Sequence, residues 1–194
     1  MNAPKGSPWL PLPPGLRIYG AMTALIRLLP LCLALIALPA LAQQRPAAPA
    51  QQSGPRQLGT FRDWTAATHQ ENGQKICYAF TRASKTEPNR QGVVLTVTHR
   101  PGGRDAVALT AGYAYPRNAE VTMAIGQTSL PFYTGGNSAF ARDGAAAVAA
   151  MRGGNRASAR GPGAGGRGTA NDQFSLAGFS AAHDAISREC PARK

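Results

Sequence analysis

The side chains best suited to acid–base work or metal ligation near neutral pH are three histidines, His69, His99 and His183. No two of them stand two or four residues apart, and the chain has no H-E-x-x-H run or Cys/His cluster. A metal centre would need ligands gathered from distant segments, and none is expected. Ser180-Ala181-Ala182-His183-Asp184 contains the residue types of a hydrolytic triad. On one helix Ser180 and His183 share a face with Asp184 beside them, but the strand-to-helix elbow that exposes a nucleophile is missing. These residues read as the polar side of an amphipathic helix. The nine carboxylates are scattered, which gives no support to paired acid–base chemistry. The expectation is a protein without catalytic residues or cofactor. An enzyme whose site joins His99 or His183 to a distant carboxylate is the alternative that a structure can decide.

Positive charge is the other chemical feature. Lys and Arg number 21 against nine acids, a formal net charge of +12. Arg152, Arg156, Arg160 and Arg167 gather around the glycine-rich run from Gly161 to Gly168. That run lacks the G-x-x-x-x-G-K-[ST] pattern of a phosphate loop and does not open a helix after a strand, so it reads as a flexible hairpin tip. Its arginines are the candidate contact for an anionic surface, lipid phosphates or acidic glycans. The excess of Arg over Lys, with abundant Ala, Gly and Pro, also fits a GC-rich genome, in which case the charge is solvated surface.

Met22-Thr23-Ala24-Leu25-Ile26-Arg27 precedes an apolar run from Leu28 to Leu41, and Ala40-Leu41-Ala42 leads into Gln43-Gln44. A cationic start, a short apolar stretch and a small-x-small site are the three parts of a secretory signal, with cleavage expected after Ala42. The run is too short, and too interrupted by Pro30 and Pro39, for the ~20 residues of a bilayer span. Cys32 lies inside it behind Pro30-Leu31, unlike the cysteine of a lipoprotein. Residues 1–42 are read as a signal peptide, with 1–21 a start-site artefact or else a long leading region. Its loss removes Lys5, Arg17 and Arg27 and no acid, lowering the charge of +12 by three, to +9. An exported chain does not meet nucleic acid, and no transmembrane anchor is expected after cleavage. The expected location is the periplasm or the exterior.

Cleavage leaves Cys77 and Cys190, an even pair that an oxidising compartment most simply joins as a disulfide. Neither belongs to a C-x-x-C redox motif.

The elements that must position these residues are mostly strands. Residues 43–56, rich in Pro, Ala and Gln, read as a flexible linker, and 57–191 as one folded domain. Strand chemistry marks Thr60–Ala66, Lys75–Phe80, Gly92–Thr98, Ala106–Tyr113, Glu120–Ile125 and Thr128–Tyr133, with Gly126-Gln127 as a two-residue hairpin turn. A short strand near Arg156–Arg160 and a last one at Asp172–Leu176 bring the number to about eight. Asp143 as N-cap, an Ala-rich body, Arg152 in the last turn and Gly153-Gly154 as a stop predict a helix. Phe179, Ala182 and Ile186 predict a second, amphipathic helix over Gly178–Cys190. The fold class is mainly β: a β-sandwich or partly closed barrel with two short helices late in the chain. Trp64, Tyr78, Phe140, Phe174 and Phe179 are expected inside, and Tyr113, Tyr115 and Tyr133 along an exposed groove.

After the export signal come, in order, Phe61-Arg62-Asp63-Trp64, Cys77-Tyr78, Ala139-Phe140 and Ala150-Met151-Arg152-Gly153. The tail from Phe174 to Ala182 (FSLAGFSAA), followed by Cys190-Pro191, is the most specific part. In this order and spacing the chain resembles the invasion-associated locus B family of exported bacterial proteins over nearly all of residues 57–191. The resemblance implies a periplasmic or envelope-associated β-sandwich, non-enzymatic, and linked in some pathogens to entry into host cells. Some members have a further cysteine soon after the first tryptophan, where this chain has Trp64-Thr65-Ala66-Ala67-Thr68, so Cys77–Cys190 is the one bridge expected. The expected function is that of a non-catalytic interaction module at the cell envelope or host surface. Its partner would be an unknown protein or an anionic envelope component. A periplasmic small-molecule carrier, with an apolar pocket between sheets, is the remaining alternative.

Overall fold

The computed structural model describes residues 54–192, so the expected signal peptide and most of the expected linker lie outside the described residues. Eleven strands follow one another: β1 (Arg56–Phe61), β2 (Trp64–Glu71), β3 (Gln74–Arg82), β4 (Lys85–Glu87), β5 (Val94–Arg100), β6 (Gly103–Thr110), β7 (Glu120–Ile125), β8 (Thr128–Gly135), β9 (Ser138–Ala141), β10 (Arg156–Pro162) and β11 (Thr169–Ser175). Helix α1 (Gly144–Gly153) lies between β9 and β10, and α2 (Phe179–Glu189) follows β11. The strands form one antiparallel sheet in the order β1-β2-β3-β5-β6-β9-β8-β7-β10-β11-β4. Because β4 continues β3 across Ala83-Ser84, pairing β4 with β11 bends the sheet back on itself, and the Ser84 N–H donates to the Gln173 carbonyl at 2.8 Å. The sheet curls without closing. Among the described residues no helix is long and apolar enough to cross a membrane.

Alternation decides what the curled sheet encloses. Cys77, Ala79 and Thr81 of β3, Leu95, Val97 and His99 of β5, and Val107 and Leu109 of β6 point inward, paired row by row. Trp64, Phe132, Phe174 and Phe179 fill the centre. The Trp64 ring meets Phe179 at 4.9 Å, and its Nε1–H donates to the Ser175 carbonyl at 3.0 Å, satisfying the one polar atom that burial would otherwise strand. Helix α2 packs on β1, β2 and β3 through Phe179, Ala182 and Ile186. Its end is tied to β3 by the Cys77–Cys190 disulfide, with Cα atoms 6.1 Å apart. Entry into α2 needs Gly178, whose φ is +91° and where a Cβ would sit 1.9 Å from the Phe61 carbonyl oxygen.

Three expectations need correction. The single strand Thr60–Ala66 is a hairpin: β1 turns at Arg62-Asp63 and Phe61 pairs with Trp64. The three-residue spacing between those two aromatics is the signature of the reversal, since a continuous strand would place them on opposite faces. Tyr78 and Phe140 are not core residues but stand half-buried on the outer face. Tyr113 and Tyr115 are partly buried rather than exposed. Their rings pack edge to face at 5.2 Å and the Tyr113 hydroxyl donates to the Pro162 carbonyl at 2.6 Å, leaving Tyr133 as the exposed member of the three. The Gly126-Gln127 turn and the Asp143 cap form as expected, with Asp143 accepting the Ala146 N–H at 2.9 Å.

Candidate functional site

The β5–β6 hairpin sets His99 six residues before Asp105, and α2 lowers His183 onto the same point. His183 Nε2 lies 2.7 Å from Asp105 Oδ1, and the two histidine rings meet edge to face at 5.1 Å. Helix α1 reaches this place because its first residue is glycine: a Cβ on Gly144 would sit 1.9 Å from the Asp105 carbonyl oxygen. The structure thus assembles a histidine–carboxylate pair in hydrogen-bond reach from segments 78 residues apart.

Hydrogen bonds engage both nitrogens of each ring. The Asp105 N–H donates to His99 Nδ1 at 3.2 Å, and His99 Nε2 lies 3.1 Å from both Ser187 Oγ and an Arg104 guanidinium nitrogen. Arg104 donates to the same Ser187 Oγ at 3.1 Å and to the Cys190 carbonyl. His183 Nδ1 accepts from the Arg152 guanidinium at 2.8 Å, leaving its Nε2–H to donate to Asp105. Burial first, and then the Arg104 charge, push the His99 pKa down to about 4. Every ring nitrogen has a partner, and each ring touches a guanidinium.

His99, Asp105 and His183 bring one ligand atom each within 4.8 Å of one another. A cation there would have to take the His99 lone pair from the Asp105 N–H. It would also replace the His183 Nε2 proton while Arg152 donates to the opposite nitrogen. The arrangement fits a closed hydrogen-bond network between α1, α2 and the hairpin better than a metal centre. Ser180 joins none of the network's hydrogen bonds, and Asp184 pairs instead with Arg152, whose hydrogen bond holds its carboxyl below the usual range. The hydrolytic arrangement in the helix does not form. Sequence reasoning named the two histidines but missed Arg104, Asp105 and Ser187. The available signal was the Pro101-Gly102 turn, which folds Asp105 back onto His99.

The four arginines separate into two kinds. Arg152, at the end of α1, is held by Asp184 and His183. Arg156 and Arg160 point to solvent from alternate positions of β10, and Arg167 stands in the turn beyond it. Among the described residues none of these three has a carboxylate within ion-pair distance. Arg160 sits between Thr122 of β7 and Asn171 of β11, so its neighbours are uncharged hydrogen-bonding groups.

Comparison with known proteins completes the description. The crystal structure of invasion associated protein B from Bartonella henselae shares the fold with a TM-score of 0.54 and 21% identity, over 68% of this chain and 95% of that one. No curated protein sequence matches the chain. The family model for the invasion associated locus B (IalB) protein matches residues 64–187, which span every strand but β1 and nearly all of α2. The chain belongs to the invasion associated locus B protein family.

Proposed function

We propose that the chain is an exported protein of the cell envelope that acts by binding, with Arg156, Arg160 and Arg167 as its contact to anionic envelope material. In this reading residues 1–42 are removed on export, 43–56 form a tether, and 57–191 carry the binding surface. One observation carries the reading: among the described residues three exposed guanidiniums on and beside β10 have no carboxylate within ion-pair distance, while their neighbour Arg152 pairs with Asp184 and His183. At ~3.3 Å per residue the Cα atoms of Arg156 and Arg160 stand ~13 Å apart on a flat strand, a spacing suited to repeated negative charge. Family membership and the disulfide support the extracytoplasmic setting. The filled interior, with Trp64, Phe132, Phe174 and Phe179 fully buried, favours a surface binder over a carrier.

The test is retention on vesicles of anionic phospholipid across a salt series. Strong retention at low salt that falls with rising salt, and is lost in Arg156→Ser/Arg160→Ser, supports the reading. Retention that ignores salt, or none at low salt, removes it. The 2.7 Å contact of His183 with Asp105 favours a second reading, catalysis at that pair. It predicts an activity abolished by Asp105→Asn in a protein that still folds. The closed network around both rings argues against it.

A further inference from the structure

The surface forms a corner where β3 passes into β4 and the end of β11 comes alongside. A cavity of about 370 Å³ lies in this corner, lined by Asp63 and Thr65 around the start of β2, Phe80 and Arg82 of β3, and Ser84 and Ser175. Register brings its two charges together. Thr65 of β2 stands opposite Phe80 of β3, so counting two residues on sets Asp63 opposite Arg82 on the same face. Cross-strand neighbours of opposite sign ordinarily close on each other. These two do not: among the described residues neither the Asp63 carboxylate nor the Arg82 guanidinium has an ion-pair partner. The hairpin turn supplies the reason. Arg62 takes a φ of +53°, and the Asp63 N–H donates to the Ala177 carbonyl at 3.3 Å, which ties the turn to the segment before α2 rather than to β3.

Elsewhere the charge that lines a cavity is already spent. Beside the disulfide, Lys75 holds Glu189 at 2.8 Å and Arg104 holds the Cys190 carbonyl. Beside α1, Asp105 and the same Arg104 belong to the histidine network. The corner cavity instead offers one anion and one cation side by side. A plain anion drawn to Arg82 would meet Asp63, and a plain cation drawn to Asp63 would meet Arg82. A zwitterion satisfies both at once. The two serines add one group of each kind. Ser175 Oγ accepts the Ala177 N–H at 3.2 Å and keeps its proton to give. Ser84 Oγ gives its proton to the Gln173 carbonyl at 3.1 Å and keeps lone pairs to accept with. The Phe80 ring, stacked on Tyr78 at 6.1 Å, is an apolar wall beside them. A carboxylate, an ammonium and a carbon substituent on one centre are the parts of an α-amino acid. At about 370 Å³ the cavity stands at the small end of ligand pockets, ~300–1,000 Å³, with room for one such molecule. We infer that this corner binds a free α-amino acid, its carboxylate on Arg82 and its ammonium on Asp63. None of Arg156, Arg160 and Arg167 lines the cavity, so this site and the anionic contact assigned to β10 stand or fall separately.

Titration of the isotope-labelled protein with serine, glutamine and phenylalanine, followed through backbone amide NMR shifts, tests the inference. Saturable shifts with at least one of them are expected, centred on Thr65, Phe80, Arg82 and Ser175. The methyl ester of that amino acid, which lacks the carboxylate, and its N-acetyl form, which lacks the ammonium, each bind about tenfold more weakly. Asp63→Asn weakens the free amino acid by a similar factor without weakening the N-acetyl form, and Arg82→Gln does so without weakening the ester. Both side chains are exposed, and the amide spectrum itself reports that each variant is folded. Absence of saturable shifts with all three amino acids, or shifts centred elsewhere, overturns the proposal. So does undiminished binding of either blocked form, which marks a site for a simple anion or a simple cation, and so does binding indifferent to both substitutions.

Discussion

Asp172 on β11 meets a single cation, Arg90, where both side chains are nearly sealed, at 4% and 13% exposed. Asp105 on β6 meets an imidazole and a main-chain turn, keeps 27% exposure, and shares its neighbourhood with two guanidiniums. Arg90 spends its other donors on the carbonyls of Ala111 and Pro88 and lies 5.0 Å over the Tyr113 ring, so it is pinned from three sides. Burial nonetheless pushes the Asp172 carboxyl up to about 6, because one counterion does not replace the water it loses. The histidine cluster solves the same problem differently. It keeps His99 neutral and spreads its hydrogen bonds over β5, β6, α1 and α2, so both histidines, Arg104 and Arg152 each have more than one partner. A concentrated ion pair should be brittle, and a distributed network forgiving.

The largest effect should come from removing the brittle partner. Asp172→Ala leaves Arg90 buried without a counterion and costs about 3–5 kcal/mol in denaturant unfolding. A loss below about 1 kcal/mol would break the comparison. Next comes the covalent brace beside the distributed network. Cys77→Ser/Cys190→Ser, opening a loop with a sequence separation of 113, costs about 2–4 kcal/mol, again read from the unfolding midpoint.

The pH response sharpens the contrast because the two clusters pull in opposite directions. His99 has a folded pKa of about 4, below the ordinary 6.5. The unfolded chain therefore takes its proton first, and stability present above about pH 6.5 is lost toward pH 4, by about 3 kcal/mol. Asp172 has a folded pKa of about 6, above its ordinary value of 3.8. The folded chain takes that proton first, so the cost of its buried charge is relieved as pH falls from about 6 to about 4. The wild type should be nearly flat over this window. Asp172→Asn should lose stability on acidification, His99→Gln should gain it, and unfolding midpoints measured between pH 4 and 7 report both. The smallest effect belongs to the exposed arm of the network: Asp184→Ala frees Arg152 at a cost of less than about 1 kcal/mol.

What was legible in the sequence followed local rules. The Asp143 cap, the Gly126-Gln127 turn, the α2 stripe of Phe179, Ala182 and Ile186, and the mainly β character each rest on residues within one element. Short pieces were lost where pattern length failed. β4 is three residues long and β9 four, too brief to show a period, and both owe their existence to neighbours in the sheet. The Tyr78 and Phe140 errors have one cause: an alternating strand says which residues share a side, not which side faces the core. The candidate site suffered most. His99 and His183 were visible as isolated residues, whereas Asp105, Arg104 and Ser187 gained meaning only when β6 and α2 met.

Residue chemistry alone determined the class of fold, the sulfur pair with its single sensible partner, and the surplus of positive charge, because each depends on composition or on spacing along one element. Tertiary structure decided which of the four arginines is spent on an internal bond and which three, among the described residues, have no carboxylate in reach. It also decided which groups each histidine meets and which strands stand side by side. These are properties of distance between residues remote in the chain, and the curling of one sheet with two helices docked to it is what sets those distances.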